Sequence, residues 1–438
     1  MRGSAKFVLG ACAAGLLAAG CDWRDFDTLK DQAPVLRIDP PSGFASASDF
    51  GNAVLPVAPP ADGSTAAWFL ASGTESLGLA LVEIDAAGGS SAQTLSGSAI
   101  DNLEGNPVTA MAEIPGTGKA LVGAPTFGSL LTIDLESAAA TPFVPASLAT
   151  SSEALFGDGV AAGNLTGGAA PDLVVASDTS LHVFVDSSTT DIAPGTADLA
   201  ACPITLATSL SSHDRLTRAV VIGNLLGGGA VIAIGTPGAA APGTVAFFSV
   251  AAGVVSCAGV LAAPALTAPP ATTNSGFGAV LAIGDFDGDG VSDLLVGAPP
   301  FGAYLYKGPL TLPGSAPTAT IPPPSGNGSF GYALAAMSLD GKLGDEALIG
   351  DPGATVNDQT DAGNVTIYTG PKLALMAAPT PVLTDHESAA GEGYGAVVAA
   401  LPFCAMAPCT TNTVLPLVGA SSRIFTYFML GPVDPRAK

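Results

Sequence analysis

The amino-acid sequence predicts an all-β fold built from seven repeated units, and three observations lead to this prediction. The 438 residues include 55 Gly and 36 Pro, which interrupt helices and favour short strands joined by turns. Hydrophobic residues make up 48% of the chain and charged residues only 12%, so a large core can be buried. Segments of similar sequence also recur along most of the chain, each with strand-sized apolar pieces between turn residues.

The N-terminal segment has the features of an export signal. Two basic residues precede an apolar stretch over residues 7–19, which is too short to span a bilayer. The stretch ends in LAAGC and resembles the lipobox of bacterial lipoproteins, which makes Cys21 the expected lipidation site. We therefore expect a signal peptide over 1–20 and a lipidated tether over 21–33. An ordinary cleaved signal followed by an unmodified Cys21 thiol is the alternative.

The charge of the chain limits its partners. Without residues 1–20, the chain has 12 basic and 37 acidic residues, a formal charge of −25. Such a surface repels nucleic acid and anionic headgroups, so we expect no nucleic-acid partner and membrane attachment through the N-terminal lipid alone. The expected location is the bacterial cell envelope, or the medium if Cys21 is not acylated, and the expected state is a monomer.

Four cysteines remain after the signal and Cys21. An even number of cysteines in an exported chain indicates disulfides. Cys404 and Cys409 flank the four residues AMAP and could close a small loop. Cys202 and Cys257 would then form the second pair by elimination.

The repeat defines the units in chain order. The template is FGAVLAIGDFDGDGVSDLLVGAP over 277–299, and related segments begin near residues 50, 107, 156, 216, 330 and 394. The mean spacing of the starts is about 57 residues. Each unit reads as a strand, a polar hairpin, an apolar strand, a Gly/Pro turn, a third strand and a Pro-rich fourth segment. Seven units of four antiparallel strands predict a seven-bladed β-propeller.

The two ends of the chain predict how the ring closes. The last unit offers three strands after residue 394, and its fourth strand is missing. The segment VLRIDPPSG at 35–43 resembles the fourth-strand segment TATIPPPSG at 318–326. We therefore expect the N-terminal strand to complete blade seven, so that the propeller spans residues 34–438 without an open edge.

The repeat resembles a known family. FG and GAP placed around DxDxDGxxD are similar to the FG-GAP repeat of integrin α-subunit β-propellers and of many bacterial surface proteins. The resemblance covers nearly all of residues 34–430 and is strongest in the fifth unit. It implies a seven-bladed propeller with calcium in some hairpins between first and second strands. It also implies that ligands use loops on the opposite face.

The hairpin DFDGDGVSD at 285–293 is the strongest candidate site. Calcium takes six to eight oxygen ligands in flexible geometry, and carboxylates at alternate positions of a tight loop can wrap it. The expected side-chain ligands are Asp285, Asp287, Asp289 and Asp293, with the carbonyl of Val291 as a backbone ligand. An EF-hand is not expected, because the following residues read as a strand. A polar turn without metal is the alternative.

The equivalent hairpins of other units fit calcium less well. The segment Asn164–Asp172 in the third unit offers oxygen at three of four ligand positions, so a second site there is a weaker hypothesis. The sixth unit places Lys342 where a ligand would be needed, and this lysine would substitute for the metal.

The sequence offers no catalytic motif, so the expected function is non-catalytic. We expect a calcium-stabilised, lipid-anchored envelope propeller that binds a protein or glycan in adhesion, recognition or scaffolding. The longest candidate ligand loop, 351–363, carries Asp351, Asp358 and Asp361, although a solvated insertion is an alternative reading. A second candidate loop covers 385–393. The alternative function is an extracytoplasmic hydrolase or cofactor enzyme that uses the central pocket of the propeller.

Overall fold

A computed structural model shows the chain as a ring of antiparallel sheets. It describes residues 35–42, 44, 50–51, 53–58, 66–73, 78–96, 100, 108, 110–124, 129–143, 156–177, 180–187, 202, 219–238, 242–264, 276–324, 328–339, 343–368, 380–385, 389–404 and 413–428. The expected signal peptide and tether, including Cys21, lie outside these residues. Among the described residues, no helix is long and apolar enough to cross a membrane.

The first four blades follow one another along the chain. Blade one contains β2 (Ala53–Val57), β3 (Ala67–Ser72), β4 (Leu79–Ile84) and β5 (Ser90–Thr94). Blade two contains β6 (Ala110–Ile114), β7 (Lys119–Ala124), β8 (Ser129–Asp134) and β9 (Ala139–Phe143). Blade three has three described strands, β10 (Gly159–Gly163), β11 (Asp172–Ala176) and β12 (Leu181–Phe184). Blade four contains β13 (Val220–Gly223), β14 (Val231–Thr236), β15 (Thr244–Ala251) and β16 (Val254–Ala262).

The last three blades complete the ring. Blade five contains β17 (Val280–Gly284), β18 (Asp293–Ala298), β19 (Gly302–Tyr306) and β20 (Ala319–Ile321). Blade six contains β21 (Ala333–Met337), β22 (Glu346–Asp351), β23 (Asn364–Tyr368) and β24 (Thr380–Leu383). Blade seven contains β25 (Val397–Phe403), β26 (Thr413–Ala420), β27 (Arg423–Tyr427) and the N-terminal strand β1 (Val35–Ile38). The seven-bladed all-β fold is therefore confirmed.

The N-terminal strand closes the ring as the sequence predicts. β1 pairs antiparallel with β27 in a register that places Val35 opposite Tyr427 and Ile38 opposite Ile424. The first strands of the blades contact one another in the cyclic order β2, β6, β10, β13, β17, β21, β25 and β2 again. The innermost strands thus surround a central channel, and the edge of β27 is paired.

The core lies between blades rather than inside any one of them. The second strand of blade five, β18, is buried along its whole length, because each of its faces packs against another blade. One cluster of buried apolar side chains lies at each of the seven blade junctions, including the junction of blade seven with blade one. Burial of apolar surface between blades therefore holds the ring together.

The glycines of the repeat motif mark the closest contact between blades. Five second strands carry a glycine where an added Cβ would come within 2.5 Å of a backbone carbonyl oxygen in the next blade. That oxygen belongs to the glycine of an FG pair in four cases and of the equivalent Tyr394-Gly395 pair in the fifth, and each of these glycines has a positive φ. The pairs are Gly123 with Gly157, Gly235 with Gly278, Gly297 with Gly331, Gly350 with Gly395, and Gly419 with Gly51.

One disulfide is complete among the described residues. Cys202 and Cys257 are bonded, with their Cα atoms 5.4 Å apart, so the segment that follows blade three is tied to β16. This confirms the predicted pairing of these two residues. Cys404 is also disulfide-bonded, and Cys409, its expected partner, lies outside the described residues.

Candidate metal centre

The acidic hairpin of blade five connects β17 to β18. Its tight turn is formed by the Asp285 carboxylate, which accepts backbone N–H groups inside the loop. Asp285 Oδ1 lies 2.8 Å from the nitrogen of Gly288 and 3.0 Å from that of Asp289, and its Oδ2 lies 2.8 Å from that of Gly290. Both glycines have a positive φ, 77° and 82°, which lets the chain bend around the carboxylate.

Three of the predicted metal ligands converge. Asp285, Asp287 and Asp289 each offer a carboxylate oxygen, and these oxygens lie within 4.8 Å of one another. Carboxylate oxygens at this spacing are the donor set that a hard cation such as calcium prefers. The predicted backbone ligand, Val291, donates its N–H to Asp289 Oδ1 at 2.9 Å, and the role of its carbonyl stays a prediction.

A lysine supplies positive charge to this group. Lys307, just after β19, places its ammonium nitrogen in contact with Asp287 Oδ2 and 2.9 Å from Asp289 Oδ2. The hydrogen bonds that Lys307 donates to these carboxylates raise its pKa, and the hydrogen bond from Lys307 lowers the pKa of Asp289. The carboxylates thus already stabilise one cation.

Asp293 has a different environment from the other three aspartates. It is buried and lies outside the three-carboxylate group. Its Oδ2 accepts the N–H of Phe286 at 3.0 Å, and its Oδ1 accepts the N–H of Gly308 at 2.9 Å. Burial raises the pKa of Asp293 to about 6, and the negative charges of Asp287 and Asp289 act in the same direction. In this structure Asp293 therefore fastens the hairpin to the end of the third strand, and its role as a ligand stays a prediction.

The hairpin is also joined to the next blade. The Asp285 N–H donates to Asp345 Oδ2 at 2.9 Å, and the Asp345 N–H donates to the Asp285 carbonyl at 2.7 Å. Asp345 lies directly before β22 in blade six. Whatever stabilises the blade-five hairpin consequently also affects the junction of blades five and six.

The hairpin of blade three is held by hydrogen bonds within the protein. Asp172 Oδ2 accepts the N–H groups of Leu165 and Thr166 at 2.8 and 2.9 Å, and its Oδ1 accepts the N–H of Asp186 at 2.9 Å. Asn164 Oδ1 accepts the N–H of Gly167 at 2.6 Å. Within the described part of the chain, the three-carboxylate group occurs in blade five. The weaker hypothesis of a second site over Asn164–Asp172 gains no support from this geometry.

The hairpin of blade six is described only in part. Lys342, the predicted substitute for the metal, lies outside the described residues. Glu346 is buried, and its Oε2 accepts the N–H of Leu339 at 2.7 Å. Glu346 thus makes the same contact to its hairpin as Asp293 makes in blade five.

The contact of Lys307 with the acidic hairpin was not predicted from the sequence. The register of β18 with β19 pairs Leu294 with Tyr306, so the residue after Tyr306 emerges beside the hairpin. A signal was present, since Lys307 is one of 14 basic residues in a chain with 37 acidic ones. The position of Lys307 beside the hairpin depends on the pairing register of β18 with β19, and the hairpin motif gives no information about that register.

The predicted ligand loops lie at the opposite rim from this hairpin, because successive antiparallel strands reverse direction. Asp358 and Asp361 are exposed in the loop between β22 and β23, and both have a positive φ. The prediction for Asp351 is corrected, since it is buried at the end of β22 and accepts the N–H of Ser329 at 2.5 Å. Burial raises the pKa of Asp351, and the residue is not available at the surface.

The central channel contains a cavity of about 310 Å³ between the first strands of blades two to five. Glu113 supplies a carboxylate among the residues that line it: Met111, Ala112, Glu113, Val160, Ala161, Ala162, Val220, Val221, Ile222 and Ile283. Burial raises the pKa of Glu113, and its Oε1 accepts the N–H of Ala58 at 3.2 Å.

The repeat that carries the acidic hairpin matches a known family. Residues 277–311 match the FG-GAP repeat. This FG-GAP repeat includes the three converging carboxylates, Asp293 and Lys307. The protein is thus a β-propeller that contains an FG-GAP repeat.

The other comparisons concern the whole chain. No curated protein sequence matches it. Among solved structures, it is similar to the β-propeller domain of Cps50 (Swd1) from Myceliophteria thermophila, with 10% identity and a TM-score of 0.49 over 90% of this chain and 100% of that one.

Proposed function

We propose that the protein is a non-catalytic, calcium-stabilised propeller of the bacterial cell envelope, anchored through lipid on Cys21. It binds a protein or glycan partner at the rim opposite the acidic hairpin, as a recognition or scaffold protein. The observation that carries this proposal is the fastening of two candidate ligand loops into one surface.

Backbone hydrogen bonds connect the two loops. The N–H groups of Gly391, Gly393 and Tyr394 donate to the carbonyls of Thr360, Asp361 and Ala362, each at 2.9 Å. These bonds join the loop between β22 and β23 to the loop between β24 and β25. A surface whose loops are fixed before binding loses less conformational entropy when a partner binds.

Among the described residues, three of the six non-glycine residues with a positive φ lie on the same surface. Asn357, Asp358 and Asp361 are exposed non-glycine residues with φ of 51°, 63° and 54°. Left-handed conformations of this kind cost free energy and cluster at functional sites. The exposed carboxylates of Asp358 and Asp361 are therefore the side chains that we propose to contact the partner.

Capture from envelope extracts tests the binding surface. Asp358→Asn/Asp361→Asn removes two negative charges with little change in shape, and Glu136→Gln is a control that removes one negative charge from an exposed residue at the opposite rim. We expect a protein or glycan that is retained by the wild-type and Glu136→Gln chains and lost by the double variant. Equal retention by all three chains would place the binding surface elsewhere.

The calcium assignment is supported by the three carboxylates and by the Lys307 ammonium, a positive charge that they already bind. Three convergent carboxylates fit calcium, and the Lys307 ammonium stands where positive charge is needed. Asp285, Asp287 and Asp289 would hold the ion, with Asp293 and the Val291 carbonyl as further candidates. The ion would neutralise the carboxylates and stiffen the hairpin.

Calcium binding is tested by substitution of two of the proposed ligands. Asp287→Ala and Asp289→Ala should each lower the calcium affinity and reduce the rise in melting temperature that calcium produces. Titration calorimetry and thermal unfolding with and without chelator are the measurements. If both variants bind calcium as the wild type does, the assigned site is wrong.

The lining of the central channel supports the non-catalytic proposal. Residues from four blades line its cavity, and they supply one carboxylate, Glu113. Catalysis in a pocket generally needs several convergent polar groups. His182 is buried and packs edge-on against Phe156, at a centroid distance of 5.3 Å, within blade three. These observations give the hydrolase alternative no support.

A further inference from the structure

Lys307 is fixed in position by its own backbone and by the residue that follows it. The Lys307 N–H donates to Thr318 Oγ1 at 3.2 Å, and the Gly308 N–H donates to the buried carboxylate of Asp293 at 2.9 Å. The base of the lysine side chain is thus held beside the acidic hairpin. Its side chain is about half exposed, so it can leave the carboxylates without unpacking the core.

The ammonium and a metal ion would use the same oxygens. Lys307 contacts Asp287 Oδ2 and lies 2.9 Å from Asp289 Oδ2. Both oxygens belong to the three-carboxylate group, whose oxygens lie within 4.8 Å of one another. If the Lys307 ammonium and a divalent cation both contacted these oxygens, the two positive charges would lie close together and repel each other strongly.

We propose that Lys307 is a tethered counter-cation that competes with calcium for Asp287 and Asp289. This proposal rests on the proposed calcium site and adds the residue that sets its affinity. Without calcium, the ammonium neutralises the carboxylates and keeps the hairpin folded. Calcium binds by displacing the ammonium into solvent, so the centre holds positive charge in both states.

Two consequences follow from this competition. Removal of the lysine charge leaves the metal-free hairpin with uncompensated repulsion between carboxylates, so the metal-free chain should melt at a lower temperature. The same change removes the competitor, so calcium should bind more tightly. A residue with a merely structural role would lower the melting temperature without increasing the calcium affinity.

The test compares three variants of the chain after removal of divalent cations with chelator. Lys307→Met removes the charge and keeps much of the side-chain volume, whereas Lys307→Arg keeps the charge. Lys119→Met is the matched control, because Lys119 is an exposed lysine at the start of β7 in blade two and changes the net charge equally. Calorimetric titration with calcium chloride gives the affinity, and thermal unfolding gives the stability with and without calcium.

We expect Lys307→Met to bind calcium roughly tenfold more tightly than the wild type, as the loss of two competing ion pairs implies. Lys119→Met and Lys307→Arg should stay within about twofold of the wild type. Equal affinities for Lys307→Met and Lys119→Met, with calcium still bound, would overturn the role of Lys307 and leave the calcium site intact. Absence of calcium binding in both the wild type and Lys307→Met would overturn the calcium site itself.

Discussion

Three buried carboxylates occupy the same place in three hairpins. Asp172, Asp293 and Glu346 each begin a second strand, and each accepts the N–H of a residue seven positions earlier in the chain. Asp172 and Asp293 also accept an N–H from beyond the third strand. Buried backbone donors need a partner, so this acidic position stabilises the hairpin whether or not it contacts a metal.

Removal of one of these carboxylates tests that role. Asp293→Ala leaves the buried N–H groups of Phe286 and Gly308 without their acceptor, and we expect a loss of about 2–4 kcal/mol in unfolding free energy. Urea unfolding in chelator is the measurement, because it removes any contribution of calcium. Asp289→Ala is the control, with an exposed carboxylate that should change stability much less under the same conditions. Equal effects of the two substitutions would contradict a separate backbone role for Asp293.

Glu392 lies at the rim opposite the acidic hairpin, and its environment predicts that the stability of the fold depends on pH. The Glu392 side chain is buried, its Oε1 lies 3.5 Å from Arg423 Nη1, and its Oε2 accepts the N–H of Ala389 at 3.2 Å. Burial raises the pKa of Glu392 from 4.5 to about 7, and a hydrogen bond with Asp385 and its charge add to the shift. The folded state therefore holds the proton more tightly than the unfolded state does. The stability contribution of this group is present below pH 4.5 and is lost as pH rises toward 7.

Glu392→Gln should remove this dependence. Relative to the wild type, the variant should gain stability between pH 5 and pH 8, by up to about 3 kcal/mol. Urea unfolding of both chains at a series of pH values gives their difference in unfolding free energy. The contributions of the other carboxylates are the same in both chains and cancel in this difference. A difference that stays constant across this range would contradict the raised pKa.

At the scale of the strands, the FG and GAP parts of the repeat have complementary roles. The FG glycine N–H donates to the second-strand carbonyl of its own blade, as from Gly278 to Gly297 at 3.0 Å and from Gly331 to Gly350 at 3.1 Å. The second-strand glycine in turn lets the FG carbonyl of the next blade approach its Cα. Blades one and three have Ala71 and Ala176 at the second-strand position. The units that follow these two blades have neither an FG pair nor the equivalent Tyr-Gly pair of blade seven, so the second-strand glycine occurs where the close contact requires it.

A pair of glycine substitutions in blade four tests this packing. Gly235→Ala would place a Cβ against the carbonyl oxygen of Gly278, and we expect a destabilisation of about 1–3 kcal/mol. Gly228→Ala in the hairpin of the same blade meets no atom within 4 Å, and its effect should stay within about 0.5 kcal/mol. Unfolding free energies from urea titrations decide the matter. Similar values for the two variants would show that the blades tolerate a larger residue at this contact.

The elements differ in how far the sequence could predict them. The seven units and the pairing of β1 with β27 were predictable, because recurring Phe-Gly pairs and apolar strands report local turns and burial. The convergence of Asp285, Asp287 and Asp289 was also predictable, since these residues are neighbours in one turn. The contact with Lys307 was not, because it depends on where the third strand ends beside the hairpin. The burial of Asp351 likewise depends on Ser329, which is 22 residues away in the chain.

At the scale of the whole molecule, stability depends on ring closure. Each blade buries its two large faces against neighbours, and the seven interblade clusters form one closed series. The junction of blades seven and one includes Ile38 of β1, which is 2% exposed. β1 therefore contributes twice, through pairing with β27 and through apolar burial at the closing junction.

Deletion of β1 should open the ring at this junction. A chain that begins at residue 39 lacks the pairing of Val35–Ile38 with β27 and the buried side chain of Ile38, whereas a chain that begins at residue 34 retains both. We expect the shorter chain to melt at least about 2 °C lower, because the closing cluster loses apolar contacts. It should also self-associate with increasing concentration, since β27 then presents unpaired N–H and C=O groups that can pair with a second copy. Thermal unfolding and sedimentation velocity of the two chains are the measurements, and identical melting temperatures together with two monomeric chains would show that β1 is not needed for closure.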